Sequence, residues 1–290
     1  MNSNSNKLII TADDFGLCES VNEAIIDSFL NNNITNTSIL INMPHSIKSI
    51  DLLKKYKINY GLHFSINRGM PFNKKSSLCD STGNFLSRKD LFKKILVGKI
   101  KKQDILDEFN SQLDLCNSYG LKITHFDSDN HIHFHPYIFS AIKESALLKG
   151  LSFRSFKPLF YNIYFPKRFL RQIIFYSGNK LLSIFAKNRL FTNNFFCSPY
   201  DVQESFELTE KLYFNILKNI KFYGVTELMV HPYYNSTELK KYYPYKISEN
   251  FLQNCFCEAQ VLTSRKNLFK DYDIETDNFY QLRLDFLKSL

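Results

Sequence analysis

Tryptophan is absent from this chain of 290 residues, and several absences beyond it narrow the possibilities. There is no run of about 18 apolar residues, so no ordinary membrane-spanning helix is expected. The opening MNSNSNK lacks the apolar stretch of a secretory signal, which points to a cytoplasmic protein. Six cysteines (Cys18, Cys79, Cys116, Cys197, Cys255 and Cys257) show no CxxC spacing, and a chain of this size needs no disulfides, so they read as reduced thiols. Zinc knuckles, RNP-type aromatic patterns and helix-turn-helix signals are missing too. The net charge of +9 therefore reads as a solvated basic surface and not as nucleic-acid recognition. Internal repeats and low-complexity linkers do not occur, and KKSSLCD at 74–80 is only a polar loop.

What is present suits one large domain over residues 1–290. Hydrophobic residues make up 44% of the chain, and 28 Phe with 17 Tyr supply a sizeable core. Short β-branched runs alternate with helical spacing. KLIITAD precedes ESVNEAIIDSFLNNN, whose Val21, Ala24, Ile25 and Phe29 share a helical face. Further strands are expected at TSILINM, INYGLHFSI, KITHFDS, LSFRSF and TELMVHP, with a helix over 103–118. This alternation predicts a largely parallel sheet covered by helices. Nearly every expected strand ends in a polar residue: Asp13 and Asp14, Asn42, His63, Asp127, Arg154 and His231. In a β/α barrel such strand ends converge on one mouth. Residues 157–195 break the rhythm with aromatics and seven Lys or Arg, predicting a basic helical excursion that packs on the barrel, covers a groove or touches a membrane surface.

Two stretches carry candidate chemistry. TADDFG sets Asp13 and Asp14 side by side at a strand end, where strand alternation gives neighbouring side chains different directions and so different tasks. Its DFG triplet is no kinase signature, because that motif needs a Gly-rich loop, a strand lysine and a catalytic HRD loop elsewhere. In THFDSDNHIHFHP, residues 124–136, His or Asp recurs at every second position from His125 to His135. Fully extended, those ten steps span about 33 Å, too long for one metal site, so the strand must bend. A dense His/Asp row beside strand-end carboxylates points to a metal centre, with an imidazole hydrogen-bond network as the alternative.

TADDFGLCESVNEAI, GLHFSINRGMP at 61–71, THFDSDNHIHFHP and TELMVHP at 226–232 together resemble the YdjC-like carbohydrate deacetylases, the family of diacetylchitobiose deacetylase. CEAQVLTS at 257–264 resembles that family's entry to a C-terminal helix, and only about 157–200 falls outside the likeness, as a divergent insertion. The resemblance implies a distorted (β/α) barrel of the polysaccharide-deacetylase and glycoside-hydrolase type, a divalent metal, a small acetylated-sugar substrate and a homodimer. By the family pattern Asp13 is the base, Asp14 and His63 bind metal and His231 is the general acid. Asp129 stands where relatives usually carry a third histidine ligand. A carboxylate there suits Mg²⁺ first, with Mn²⁺, Co²⁺ or Zn²⁺ as further options. His125, Asp127 and His131 are expected to orient ligands or touch substrate, and Arg154 to contact substrate or form a structural ion pair. Two competing expectations are a catalytically silent sugar-binding relative, owing to Asp129, and a glycosidase using Asp13 and Asp127 as its carboxylate pair.

Overall fold

The computed structural model describes residues 6–159, 166–186, 190–199, 210–218, 224–243, 249–270 and 275–288. The chain runs β1 (Asn6–Phe15), α1 (Glu19–Leu30), β2 (Asn36–Ile39), α2 (Ser46–Tyr56), β3 (Tyr60–Phe64), α3 (Arg88–Leu96) and α4 (Lys102–Ser118). It continues through β4 (His125–Ser128), a 3-10 segment (Asp129–Phe134), α5 (Pro136–Leu148), β5 (Ser152–Phe153), α6 (Pro166–Ala186), β6 (Phe195–Cys197) and α7 (Glu210–Lys218). The last elements are β7 (Gly224–Val230), α8 (Thr237–Tyr242), α9 (Glu249–Ser264), β8 (Glu275–Thr276) and α10 (Phe279–Lys288). No helix among the described residues is long and apolar enough to cross a membrane.

The strands pair in parallel in the order β5-β4-β3-β2-β1-β7-β6. Just past β5, Leu159 N–H donates to Phe196 O and Phe196 N–H donates to Lys157 O, at 2.9 and 2.8 Å. This bridge links the two edge strands and closes the sheet into a distorted barrel. β8 pairs only with the start of β1, at Lys7 and Leu8, below Thr11 where β2 takes over that edge. The segment 157–200 is thus only partly an insertion: it supplies α6, as the basic aromatic pattern predicted, but also β6, a barrel strand. CEAQVLTS forms the second half of α9 and not its entry, because α9 already begins at Glu249.

Alternation sorts side chains between the helical layer and the barrel interior. Val21, Ala24 and Ile25 of α1 are buried, and Phe29 packs half-buried against the same core. On β7, Glu227 and Met229 share the interior face with His231, the residue just past its end. One end of the interior is plugged by α10, whose Phe279 packs with Ile9, Phe191, Val225 and Leu282. Phe279 also stacks on the His125 ring, with centroids 4.4 Å apart. His125 Nε2 accepts from Asn36 Nδ2 at 3.0 Å. Burial, with Arg154 and Arg283 nearby, pushes the His125 pKa down to about 3, so the ring is neutral.

The ring of His125 occupies the space beside Gly61, where an added Cβ would lie 2.3 Å from Nε2. Gly61→Ala is expected to cost about 1–3 kcal/mol by overpacking, seen as a lower thermal midpoint. An unchanged midpoint would contradict this packing.

Candidate active site

The two adjacent acids reach one mouth through a local irregularity. β1 pairs Ala12 with Thr37 but Phe15 with Ile39, so β1 holds one extra residue across Asp13 and Asp14. Asp14 also adopts φ 71°, a left-handed conformation that Asp tolerates better than most side chains. Regular alternation would send one acid outward. The bulge and the reversed φ instead turn both toward a cavity of about 720 Å³, which His63, Asp129, His131 and His231 also line.

Beneath this mouth lies Arg154, fully buried. Its Nη1 and Nη2 donate to the two oxygens of Asp13, both at 2.7 Å. Nη2 also lies 2.7 Å from Asp127 Oδ2, and Nε donates to Glu227 Oε1 at 2.9 Å. One guanidinium thus serves three buried carboxylates. Burial alone would raise the Asp13 pKa, but Arg154, with His63 and His231, holds it well below the usual carboxylate range. Glu227 goes the other way: burial lifts it to about 7 against the pull of Arg154, with Asp127 and Asp13 adding to the rise. Asp13 and Asp127 share the same guanidinium nitrogen, which leaves no room for a sugar between them and overturns the glycosidase expectation.

Register builds the next layer. Parallel pairing sets His63 of β3 opposite Asp127 of β4, and His63 Nδ1 donates to Asp127 Oδ1 at 2.6 Å. His63 Nε2 points toward Asp14 Oδ1, 3.3 Å away; with the Nδ1 proton held by Asp127, loss of the Nε2 proton would leave a lone pair there for a cation. Asp14 Oδ1 is buried and accepts no hydrogen bond, while Tyr233 OH donates to Oδ2. Asp14, His63 and Asp129 each offer a ligand atom, all within 4.8 Å of one another. Two carboxylate oxygens and an imidazole nitrogen facing each other repel unless something positive lies among them. The electrostatics agree: burial opposes a charged ring, but Asp127, Asp14 and Asp13 hold the His63 pKa well above its usual value. Burial would likewise raise the Asp14 pKa, but His63 and Arg68 hold it low. The donor set fits a divalent cation. Arg68 Nε already lies 3.2 Å from Asp129 Oδ2, and Asn130 Nδ2 donates to Oδ1 at 2.9 Å.

The His/Asp row bends as its length requires, because the 3-10 segment places Asn130 and His131 at φ 55°. His131 enters the cavity wall among Phe134, Phe156, Phe175 and Phe196. His125 does not reach the cavity; it belongs to the plugged end, so the expectation that it orients ligands or touches substrate is corrected. Asp127 acts on both His63 and Arg154. His133 is held by Ser128 Oγ and Arg154 O, and His135 caps α5 by accepting from Tyr137 N–H. His231 lies in the cavity wall edge-on to Phe251, with its backbone N–H donating to Glu258. Burial lowers the His231 pKa, partly countered by Asp13 and Asp14. Sequence reasoning missed Glu227, Arg68 and Ser38, whose Oγ donates to Asp13 at 3.2 Å; Tyr233, read from the sequence as an aromatic that stacks on sugar or packs in the core, hydrogen-bonds Asp14. The three missed residues lie within stretches read as strands and motifs, where alternation marks Ser38 as facing the interior but gives no sign of the Arg154 partner of Glu227.

Fold and site together define an α/β barrel protein with a candidate metal centre at its mouth. The chain belongs to the YdjC-like protein family, which matches residues 7–268. It is 30% identical over 155 residues to a carbohydrate deacetylase of Clostridium beijerinckii, covering 53% of this chain and 61% of that protein. It is 34% identical over 139 residues to a carbohydrate deacetylase of Geobacillus stearothermophilus, covering 48% of this chain and 55% of that one. A chitooligosaccharide deacetylase of Yersinia pestis is 32% identical over 149 residues, covering 51% and 58%. The chain thus spans a little over half the length of the curated relatives it matches. A crystal structure from Enterococcus faecalis V583, described there as a proposed cellobiose-phosphate cleavage protein, superposes with a TM-score of 0.75. That match covers 97% of this chain and 100% of the other at 18% identity, a likeness of fold.

Glu227 gives the site a measurable signature. Between pH 4.5 and about 7 the folded chain keeps a proton that the unfolded chain has released, so this residue's contribution to stability falls as pH rises. The fall amounts to about 3 kcal/mol over that window. Glu227→Gln retains an acceptor for Arg154 and cannot ionise. Denaturant titrations are expected to show its stability relative to the native sequence growing by that amount across the window; parallel pH curves would contradict the assignment.

Proposed function

We propose that the chain is a divalent-metal-dependent hydrolase that removes the N-acetyl group from an acetylated amino sugar or oligosaccharide. The convergence of Asp14, His63 and Asp129 within 4.8 Å carries this reading. The names of the relatives supply the substrate class. Asp14, His63 and Asp129 would hold the ion, and two oxygens with one nitrogen favour Mg²⁺ or Mn²⁺ over Zn²⁺. A divalent ion bound there supplies Lewis acidity, polarising the acetamide carbonyl and making water easier to deprotonate.

The chain's own residues do the rest. Asp13 accepts the proton of the attacking water. Arg154, bound to both of its oxygens, keeps it ionised and fixed in direction. Asp127 fixes the His63 ring, which keeps Nε2 aimed at the ion's position. His231 donates a proton to the departing amine nitrogen. Burial makes that proton loosely held, while Asp13 and Asp14 favour its uptake. One observation favours a second reading, a silent sugar-binding relative: Arg68 already places a positive charge on Asp129.

Three substitutions separate the two readings. With metal-stripped protein and added Mn²⁺, Asp14→Asn and Asp129→Asn are expected to weaken binding about tenfold or more by calorimetry. Asp13→Asn is expected to keep metal affinity while acetate release from N-acetylated oligosaccharides, followed by mass spectrometry, drops at least about a hundredfold. Metal binding without acetate release in the unsubstituted protein would favour the silent relative. Normal turnover in Asp13→Asn would remove Asp13 as the base.

A further inference from the structure

α6 buries Leu182 and packs Phe175 and Tyr176 half-buried against the core, yet it also buries amides and exposes aliphatics. Its protein-facing side carries buried Gln172 and Asn179, and Asn179 Oδ1 accepts from Phe156 N–H at 2.9 Å while its Nδ2 donates to Ser155 Oγ at 3.1 Å. On the same side Gly178 lets the helix approach the 3-10 segment so closely that a Cβ would lie 2.3 Å from Phe134 O. The outward side carries aliphatics: Leu170, Ile173, Ile174 and Ile184 are 58%, 39%, 58% and 74% exposed. Positions 170, 173, 174 and 184 fall on one helical face.

The charge on this element is all of one sign. Residues 145–200 contain nine Lys or Arg and no Asp or Glu, and α6 contributes Lys167, Arg168, Arg171 and Lys180. Arg171 and Lys180 are exposed beside the aliphatic face. Arg171 and Phe175 also line the cavity, so the helix borders its mouth. A helix about 30 Å long with exposed aliphatics, flanking basic residues and no acid has the composition of one that lies in a membrane interface.

We infer that α6 docks this protein on an anionic lipid bilayer, setting the cavity mouth beside the membrane. Charge complementarity selects this occupant. A second copy of the chain, paired symmetrically through α6, would set basic residues against basic residues with no acid on either helix to relieve them. A soluble polyanion would leave the aliphatic face in water. The inference does not depend on the chemistry at the cavity, and its failure would leave the deacetylase reading untouched.

The test is co-sedimentation of the full chain with phosphatidylcholine vesicles in which about a third of the lipid is phosphatidylglycerol, against pure phosphatidylcholine. Binding is expected to the anionic vesicles only and to fade in about 0.5 M salt. Lys180→Glu is expected to lower partitioning about fivefold. The pair Ile173→Ser with Ile174→Ser is expected to lower it about tenfold or more. These residues are exposed, so circular dichroism and melting should be unchanged. No binding, equal binding to neutral vesicles, or full binding by the serine pair would overturn the inference. So would light scattering showing a dimer that the serine pair dissolves without any vesicle binding.

Discussion

The Arg154 guanidinium is the constraint on which the site depends. It lies buried among Asp13, Asp127 and Glu227, and without it three carboxylates would be packed into the barrel with no compensating charge. Each partner leads outward to a separate job. Asp13 lines the cavity, and Asp127 holds His63. Glu227 absorbs the surplus negative charge by keeping a proton to about pH 7. A buried cation surrounded in this way gives the mouth rigid direction more than it gives the fold stability.

Above that layer the backbone does what side chains alone cannot. The extra residue in β1 and the left-handed Asp14 place two consecutive acids on one cavity. The 3-10 segment ends the β4 row after Asp129 and turns His131 into the cavity wall. Strained conformations at Asp14, Asn130 and His131 are concentrated where the candidate metal ligands meet, and Tyr233, Asp127 and Arg68 hold those ligands from behind.

Much of this was legible in the sequence, for a reason tied to parallel sheets. Strand-end polar residues in a β/α barrel share a mouth, which is why Asp13, Asp14, His63, Asp129 and His231 come together although they are scattered along the chain. Depth was not legible. His125 and Asp127 share a face with Asp129, but each two-residue step lowers a side chain by about 6–7 Å, so His125 lands against Phe279 and Gly61. Glu227 was unreadable because one acid in an apolar strand gives no sign of a buried guanidinium contributed by a residue 73 positions away. β6 escaped notice because three residues in a basic aromatic stretch carry no periodicity, and only its pairing with β7 and the bridge to Pro158 reveals it.

The central claim is that Asp14, His63 and Asp129 form a metal centre, and anomalous diffraction from crystals grown with Mn²⁺ tests it most directly. The account predicts one strong peak about 2.0–2.4 Å from a carboxylate oxygen of Asp14, from His63 Nε2 and from an oxygen of Asp129. A cavity with no peak there and Arg68 still on Asp129, or a peak held by other residues, would contradict it.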